Sequence, residues 1–585
     1  MTGTPLTALA RNDALARLAA SVEPGRELDV LVIGGGVTGA GIALDASTRG
    51  LSTAVVEAQD WASGTSSRAS KLVHGGLRYL QMLDFKLVRE ALTERDLLLT
   101  SIAPHLVRPV PFLYPLRRRV VERAFVGAGI ALYDTLASLS RGKRSVPWHR
   151  HLTRRNLDVA FPSLARDAAV GAIEYWDATV DDARYVLTLL RTAVDRGASA
   201  ASRTQVVGLT KDETGRVNGA VITDLETGAT FPVRARSVIA STGVWTEASQ
   251  ALADGGGGLR VLASKGIHIV VPRERIQGTP GLILQTEKSV LFVIPWSRYW
   301  VIGTTDTPWT EDLTNPVATA ADIDYVIERA NAVLSDPIDR SDVIGTWAGL
   351  RPLLQPGTMD GTASAKVSRE HTVASPVPGL VVIAGGKFTT YRVMAKDAVD
   401  FALGSAARST PSVTRTVPLL GAVGIESARR ELDAAASEYG WDGVLVDHLL
   451  HRYGANVREI LEICAEDAGM ARPVEAAPAY LRAEILYAVT HEGALHIEDI
   501  IERRTRLVYE YLGVGVPAAV EVANIAATAL GWTDEQRQAE IDNYTERAEA
   551  EAAASLTGTD AAAALVRSAA PDIAPLRDAE HQRTA

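Results

Sequence analysis

Cysteine is nearly absent: the 585 residues contain one, Cys464. A single thiol excludes an internal disulfide and fits a reducing compartment. Long apolar runs are missing too. No stretch reaches the roughly 18 apolar residues that a membrane-spanning helix needs. The first 27 residues lack the basic flank and apolar core of a secretory signal. Positive charge is not in excess either, and a net charge of −10 argues against general nucleic-acid binding. Apolar residues make up 47% of the chain, enough to rule out global disorder. The length allows several domains, because single cores rarely grow past about 250–300 residues.

The clearest local pattern is LDVLVIGGGVTGAGIALDASTRGLSTAVVEA at 28–58. A short buried strand runs into a glycine turn, a helix follows to Gly50, and a second apolar strand ends at Glu57. Gly34, Gly36 and Gly39 form G-x-G-x-x-G, with Gly35 inside the same turn. The first glycine allows the tight turn, the second admits a pyrophosphate to the backbone, and the third lets helix and strand touch. The helix N-terminus then faces phosphate. Glu57 stands where an acid accepts hydrogen bonds from ribose hydroxyls. The strand-helix-strand unit therefore predicts a dinucleotide site.

An NAD enzyme usually completes its doubly wound domain soon after such a unit. Here a small-residue loop, SGTSSRAS, and then KLVHGGLRYL follow instead. Related glycine turns recur far downstream, as STGVW around Gly243 and AGGKFTTYR at 384–392. The cofactor domain is therefore expected to be assembled from distant segments. Backbone N–H groups at the second turn, with Gly386, Thr389 and Thr390, suit the pyrimidine edge of a flavin, which becomes anionic on reduction. Residues 84–103 read as an amphipathic helix, 262–306 as antiparallel strands, 320–335 as a helix. The expected fold is α/β: a Rossmann-like FAD-binding domain of discontinuous segments, an antiparallel-sheet cap over the substrate, and an all-helical C-terminal domain. The expected boundaries are 1–26 for an N-terminal extension and 27–408 for the oxidoreductase region. Within it, cofactor segments lie at about 27–105, 165–260 and 362–408, and cap segments at about 106–164 and 261–361. A linker at 409–422, the helical domain at 423–552 and an Ala-rich, disordered tail at 553–585 complete the chain.

Nine segments occur in the order seen in one family: IGGGVTGAGIALDASTRG, EAQDWASGTSSRASKLVHGGLRYL, STGVW, KGIHIVVP, FVIPW, IGTTDTP, GLRPL, SREHT and GGKFTTYR. The chain resembles the FAD-dependent, membrane-associated glycerol-3-phosphate dehydrogenases, which have oxidase relatives. The resemblance covers about residues 27–400 and continues through a helical domain to about 550. It implies oxidation of sn-glycerol 3-phosphate to dihydroxyacetone phosphate, with FAD as cofactor and a quinone as acceptor. A related flavin oxidase that uses oxygen on glycerol 3-phosphate or an amino acid is the alternative, and a non-enzymatic FAD protein is a third reading.

A phosphate that is largely dianionic needs more than one guanidinium, and arginine forks match its oxygens. Arg351 and Arg369 match the family's phosphate positions, and Arg78 a further substrate arginine, with Tyr79 beside it. A base near working pH points to histidine. His268 and His74 both match family active-site histidines, and His268 is the preferred base. Lys387 matches the family's active-site lysine. A cation at a helix start is electrostatically unfavourable without a nearby anion. Gly75 and Gly76 are expected to let the backbone pass close to a flavin, and Thr65, Ser66 and Ser67 to contact it or its pyrophosphate. No metal and no nucleic-acid partner is expected, and a homodimer is possible on the resemblance.

Residues 117–155 are basic in an acidic chain. Arg117, Arg118, Arg119, Arg123, Arg141, Lys143, Arg144, Arg150, Arg154 and Arg155 face only Glu122 and Asp134, a local balance of +8. Between them lies an apolar helix too short to span a bilayer, with Trp148 nearby. This pattern suits an anionic membrane surface. The expected location is cytoplasmic, on the inner face of the membrane, with Phe125, Ile130 and Leu132 inserted.

Overall fold

The computed structural model describes residues 3–77, 84–138, 145–253, 258–286, 290–355, 365–367, 371–513 and 515–577. Two large sheets organise them. In the first, Leu28–Ile33 lies between Thr53–Val56 and Thr230–Ala240, with all three parallel. Ser199–Ala201 and Leu380–Gly385 extend the parallel set on either side. LDVLVI is apolar almost throughout because a parallel strand is covered on both faces. The helices Val37–Thr48, Asp182–Asp195 and Tyr391–Leu403 cover one face, in a core that includes Val30, Val32, Ala43, Leu187 and Ala395. Antiparallel strands Thr204–Lys211 and Val217–Asp224 add to the edge of Thr230–Ala240. The sheet is thus built from three stretches far apart in sequence, 28–56, 199–240 and 380–385.

The second sheet has ten strands among the described residues. Its centre is mostly antiparallel. Val261–Pro272 pairs with Tyr299–Gly303 on one side and Gly345–Leu354 on the other. Gly281–Gln285 is antiparallel to Val290–Trp296 but parallel to Val107–Leu116. Two strands fall outside the expected cap segments. Gly171–Val180 pairs over ten positions with Val107–Leu116, and Leu72–Val73 pairs with it in turn. The expected boundaries missed this because a short apolar strand reads alike in either sheet, and only register with a distant partner tells them apart.

The C-terminal domain is helical apart from one short hairpin, Pro473–Val474 with Ala477–Leu481. Buried ion pairs join it to the rest. Arg504 Nη2 donates to Asp60 Oδ1 (2.7 Å), and Arg506 Nη2 to Asp182 Oδ1 (2.6 Å). The expected helix at 84–103 is Phe85–Leu97 followed by a π-turn, Leu98–Ile102. The tail expected to be disordered is ordered to residue 577. Thr557–Thr559 leads into the helix Asp560–Ser568, and Asp560 pairs with the buried Lys265. Composition favours disorder only where there is no partner to bind; here Lys265, Arg203 and a shallow apolar face around Val317 supply one.

Candidate functional site

The fingerprint folds as a strand, turn and helix. Gly34 has φ +105°, a region L side chains rarely enter. A Cβ on Gly39 would overlap the Gly34 carbonyl oxygen, so helix and turn touch there. Gly36 is the N-cap of Val37–Thr48 and supplies no side-chain cap. The first-turn amides are left toward a cavity of about 420 Å³. Ser66 Oγ accepts one of them, from Val37 N (3.0 Å). Glu57 closes the next strand. Its carboxylate accepts from the amides of Gly35 (2.6 Å) and Gln59 (2.9 Å), and burial pushes its pKa up. Glu57 also lines the cavity, as do Gly34, Gly36, Thr65, Ser66, Gly243, Gly386 and Lys387.

The far end of this cavity is a second helix start. Lys387 N-caps a single turn, Phe388–Thr390, that leads into Tyr391–Leu403, and Thr390 supplies that helix with no side-chain cap. One cavity therefore joins two helix N-termini whose own N-cap residues supply no side-chain cap, with an acid at the edge of the first. Anionic groups are favoured at both helix starts. That arrangement fits a flavin dinucleotide, with its pyrophosphate at Gly34–Gly39, its ribose at Glu57 and its pyrimidine edge at Gly386–Lys387.

Several predicted contacts serve the protein instead of lining the cavity. Gly35 is needed against Trp61, whose ring a Cβ would meet at 2.5 Å. Ser67 is buried and its carbonyl accepts from Lys71 Nζ (2.6 Å). Thr389 Oγ1 accepts from His74 N (3.2 Å), and Thr390 Oγ1 donates to the Lys387 carbonyl (3.4 Å). Gly75 and Gly76 have a reason within the fold itself. A Cβ on Gly75 would meet Leu92 at 2.5 Å and Tyr133 OH at 2.6 Å, and Gly76 has φ +74°. The glycines admit the chain beneath Phe85–Leu97 and the Tyr133 hydroxyl, which binds Gly75 N at 2.8 Å.

Beyond the cavity the second sheet presents a polar face. His268 and Trp347 are cross-strand partners, and so are Ser264 and Arg351. Period two puts all four on one face. The His268 and Trp347 rings stack at 5.0 Å and 18°. Between the pairs stand Gly266 and Gly349, also partners. A Cβ on Gly266 would collide with the Arg351 guanidinium, so the glycine is what lets that group lie across the strand. Arg351 Nη2 donates to Thr304 Oγ1 (2.9 Å) and the Thr305 carbonyl (3.1 Å), and Nη1 pairs with Asp306 (3.3 Å). His268 is 2% exposed. Its Nε2 contacts Ser70 Oγ at 2.9 Å, while Nδ1 has no hydrogen-bond partner among the described residues. Burial first, then the charges of Arg351 and Lys71, hold its pKa well below the ordinary value. The imidazole is therefore neutral and able to take a proton.

The strand that carries Trp347 and Arg351 also reaches the cavity, through its alternate positions. Thr65 Oγ1 donates to the Leu350 carbonyl (2.6 Å), and Pro352 is part of the cavity wall. His74 sits on the other side of the same loop, with its pKa lowered by burial, opposed by Asp177 and reinforced by Lys387 and Arg95. His268, His74, Lys387 and Arg351 are thus gathered around residues 65–76. Arg78, Tyr79 and Arg369 lie outside the described residues. Ser70, Trp347 and Thr304 were not singled out in the sequence. For Trp347 a signal existed, since TWAGLR and SKGIH share the period that places Trp347 with Arg351 and His268 with Ser264.

The parallel sheet, the fingerprint and the two-ended cavity define an FAD-dependent oxidoreductase. The family model described as FAD dependent oxidoreductase matches residues 29–400, and that of the C-terminal domain of alpha-glycerophosphate oxidase matches 412–537. A glycerol-3-phosphate dehydrogenase of Mycobacterium leprae is 50% identical over 93% of this chain and 92% of its own. The mitochondrial glycerol-3-phosphate dehydrogenase of Mesocricetus auratus is 37% identical over 89% of this chain and 73% of its own. The structure of the Bacillus halodurans glycerol-3-phosphate dehydrogenase complexed with FAD superposes with a TM-score of 0.73 at 28% identity, covering 92% of this chain and 97% of that one. More particularly, the chain belongs to the FAD-dependent glycerol-3-phosphate dehydrogenase family.

Proposed function

We propose that this protein oxidises sn-glycerol 3-phosphate to dihydroxyacetone phosphate and passes the electrons to a membrane quinone. The observation that carries it is the pairing of His268 with Arg351 on one strand face, packed against the loop 65–76 that also lines the cofactor cavity. FAD, held by the Gly34–Gly39 turn, Glu57 and the Gly386–Lys387 turn, would supply the redox chemistry as acceptor of the C2 hydride. The chain does the rest. Arg351 binds substrate phosphate, aided by Arg78 and Arg369. Its bonds to Thr304 and the Thr305 carbonyl fix the guanidinium plane in advance. His268, neutral through burial, takes the C2 hydroxyl proton. A dianionic phosphate nearby offsets the cost of the imidazolium that results. Trp347 and Ser70 hold the ring's orientation, and His74 stands as the second acid-base group. Lys387 places positive charge at the flavin's pyrimidine edge. The test is anaerobic: glycerol 3-phosphate should bleach the yellow flavin band and an amino acid should not. Bleaching by the amino acid alone would favour the oxidase reading.

Docking on an anionic membrane is part of the same reading. Among the described residues no helix is long and apolar enough to cross a membrane. The helix Val121–Ser138 exposes Val121 and Phe125 at 73% and 71%, next to Val120 and the exposed Arg117, Arg118 and Arg119. Two expected details change. Ile130 is fully buried, because it faces the sheet, and cannot insert. Arg150 and Arg154 pair with Glu174 and Asp158, so the unpaired charge is smaller than +8, and Arg123 is turned to the Leu152 carbonyl. Arg141, Lys143 and Arg144 lie outside the described residues. Replacing Arg117, Arg118 and Arg119 with glutamate should release the protein from anionic vesicles while dye-linked activity stays intact. A variant that sediments with vesicles as wild type does would refute the docking.

A further inference from the structure

One wall of the cofactor cavity comes from a part of the chain far beyond the fingerprint. The Thr204 amide donates to the Glu57 carbonyl (2.7 Å), and Thr204–Val207 continues the cavity past that acid. Glu57 marks the ribose, so this is the base end. There Leu576 and Arg577, from the C-terminal segment, join the lining.

They are held by a two-point clamp. Gln205 Nε2 donates to the Arg577 carbonyl (3.0 Å), and the Arg577 amide donates to Gln205 Oε1 (2.9 Å). Upstream, Arg203 Nη1 donates to both oxygens of Asp572 at 3.1 Å, and its Nη2 to Asp499 Oδ1 (3.0 Å). Arg203 is 1% exposed, so Asp572 answers a cation that has no solvent. Arg567 Nη1 donates to the Ala570 carbonyl (2.9 Å), and Asn543 Nδ2 to that of Pro571 (3.2 Å). Residues 570–577 are therefore tied at four points and end against the cavity. At this end Val206, Val207 and Leu576 form an apolar surface, edged by Thr204, Gln205 and Arg577. An apolar wall suits a flat aromatic base.

We propose that Leu576 and Arg577, clamped by Gln205, are cofactor-binding residues that cover the adenine of FAD and retain it. The proposal rests on the FAD reading of the cavity. It requires that the segment distinguish FAD from FMN, which has no adenosine to fill the base end. Three variants test it: Gln205→Ala, Leu576→Ala, and a chain ending at Ala570. Flavin release from each holoenzyme on dilution is read by the recovery of flavin fluorescence. Parallel samples are reconstituted with FMN, and thermal unfolding checks that each variant is folded.

Loss of the clamp removes two hydrogen bonds, so FAD release should speed up about tenfold in Gln205→Ala. Leu576→Ala should fall in the same range and the shortened chain beyond it. FMN release should match wild type in all three. Equal FAD release in wild type, Gln205→Ala and Leu576→Ala would overturn the proposal. So would equal acceleration of FAD and FMN, which would mean that the segment acts through general stability. A wild-type protein that takes up FMN but not FAD, or neither, would overturn the cofactor reading itself and the proposal with it.

Discussion

On the proposed reading, the two sheets hold their ligands by opposite means. In the parallel sheet the binding atoms would be main-chain amides at strand and helix ends, around Gly34–Gly39 and Gly385–Lys387. In the antiparallel sheet they would be side chains on one strand face, His268 and Arg351, with Trp347 stacked on the first and Thr304 bonded to the second. Main-chain binding depends on shape and leaves a glycine pattern in the sequence. Side-chain binding depends on what covers each residue, and a residue type alone does not record that.

The sharpest way to break the first sheet's site is steric. Gly39→Val would drive a branched side chain into the Gly34 carbonyl, with no flexible neighbour to yield. FAD absorbance in the purified protein should fall to background. Retained flavin would remove the shape argument. The second sheet should respond otherwise. His268→Asn should keep full flavin absorbance and lose about 10²–10⁴-fold in the rate of reduction by glycerol 3-phosphate, the range for a lost general base. Arg351→Lys keeps the charge and loses the planar fork. Its kcat/KM should drop by the equivalent of about 2–5 kcal/mol, mostly through KM. A His268→Asn enzyme reduced at the wild-type rate would assign the proton to His74.

This contrast explains what could be read in advance. The fingerprint, Glu57 and the turn at Gly386 were legible because each is a local backbone requirement. The antiparallel strands from 262 to 306 were legible from period two. Gly171–Val180 was placed in the wrong layer, because only its partner Val107–Leu116 reveals the sheet. Gly75 was seen, but its packing against Leu92 and Tyr133 was not: glycine reports a close approach and does not say to what. Ser70 carried no signal, since its contact with His268 spans 198 residues of sequence. The ordered tail was hidden by its composition. Alanine-rich helices pack where a partner exists, and Lys265 and Arg203 are only found to be partners in three dimensions.

A smaller effect sharpens the comparison from within the second sheet. Gly266→Ala tests whether backbone shape also matters there. The new methyl would push the Arg351 guanidinium off Thr304 and leave His268 in place. KM for glycerol 3-phosphate should rise about tenfold, the order of one or two hydrogen bonds to a charged group, with kcat nearly unchanged. A fall in kcat at constant KM would mean that the glycine positions the histidine and not the arginine.

The smallest expected effect separates the sites from the scaffold, through a third histidine. His496 lies between Glu226, on the hairpin of the first sheet, and Glu540, on the helix Asp534–Ala554, at 3.0 and 2.7 Å. Its bonds to the two carboxylates overcome burial, and its pKa is raised to about 10. His268 is the opposite case, buried with no carboxylate in contact. The signs follow from linkage. A raised folded pKa means that the His496 contribution is fully present below about 6.5. It is then lost as pH rises from there toward about 10. A depressed one means that His268 contributes above about 6.5 and loses that contribution as pH falls below it. His496→Gln should therefore lower Tm by about 1–2 °C at pH 6, the equivalent of about 1–2 kcal/mol. The gap to wild type should close as pH approaches 10. FAD content and KM should not change at any pH, because the residue touches neither site. A gap that stayed constant from pH 6 to 10 would show that His496 acts through packing alone, and a change in flavin content would place it within the cofactor site's support.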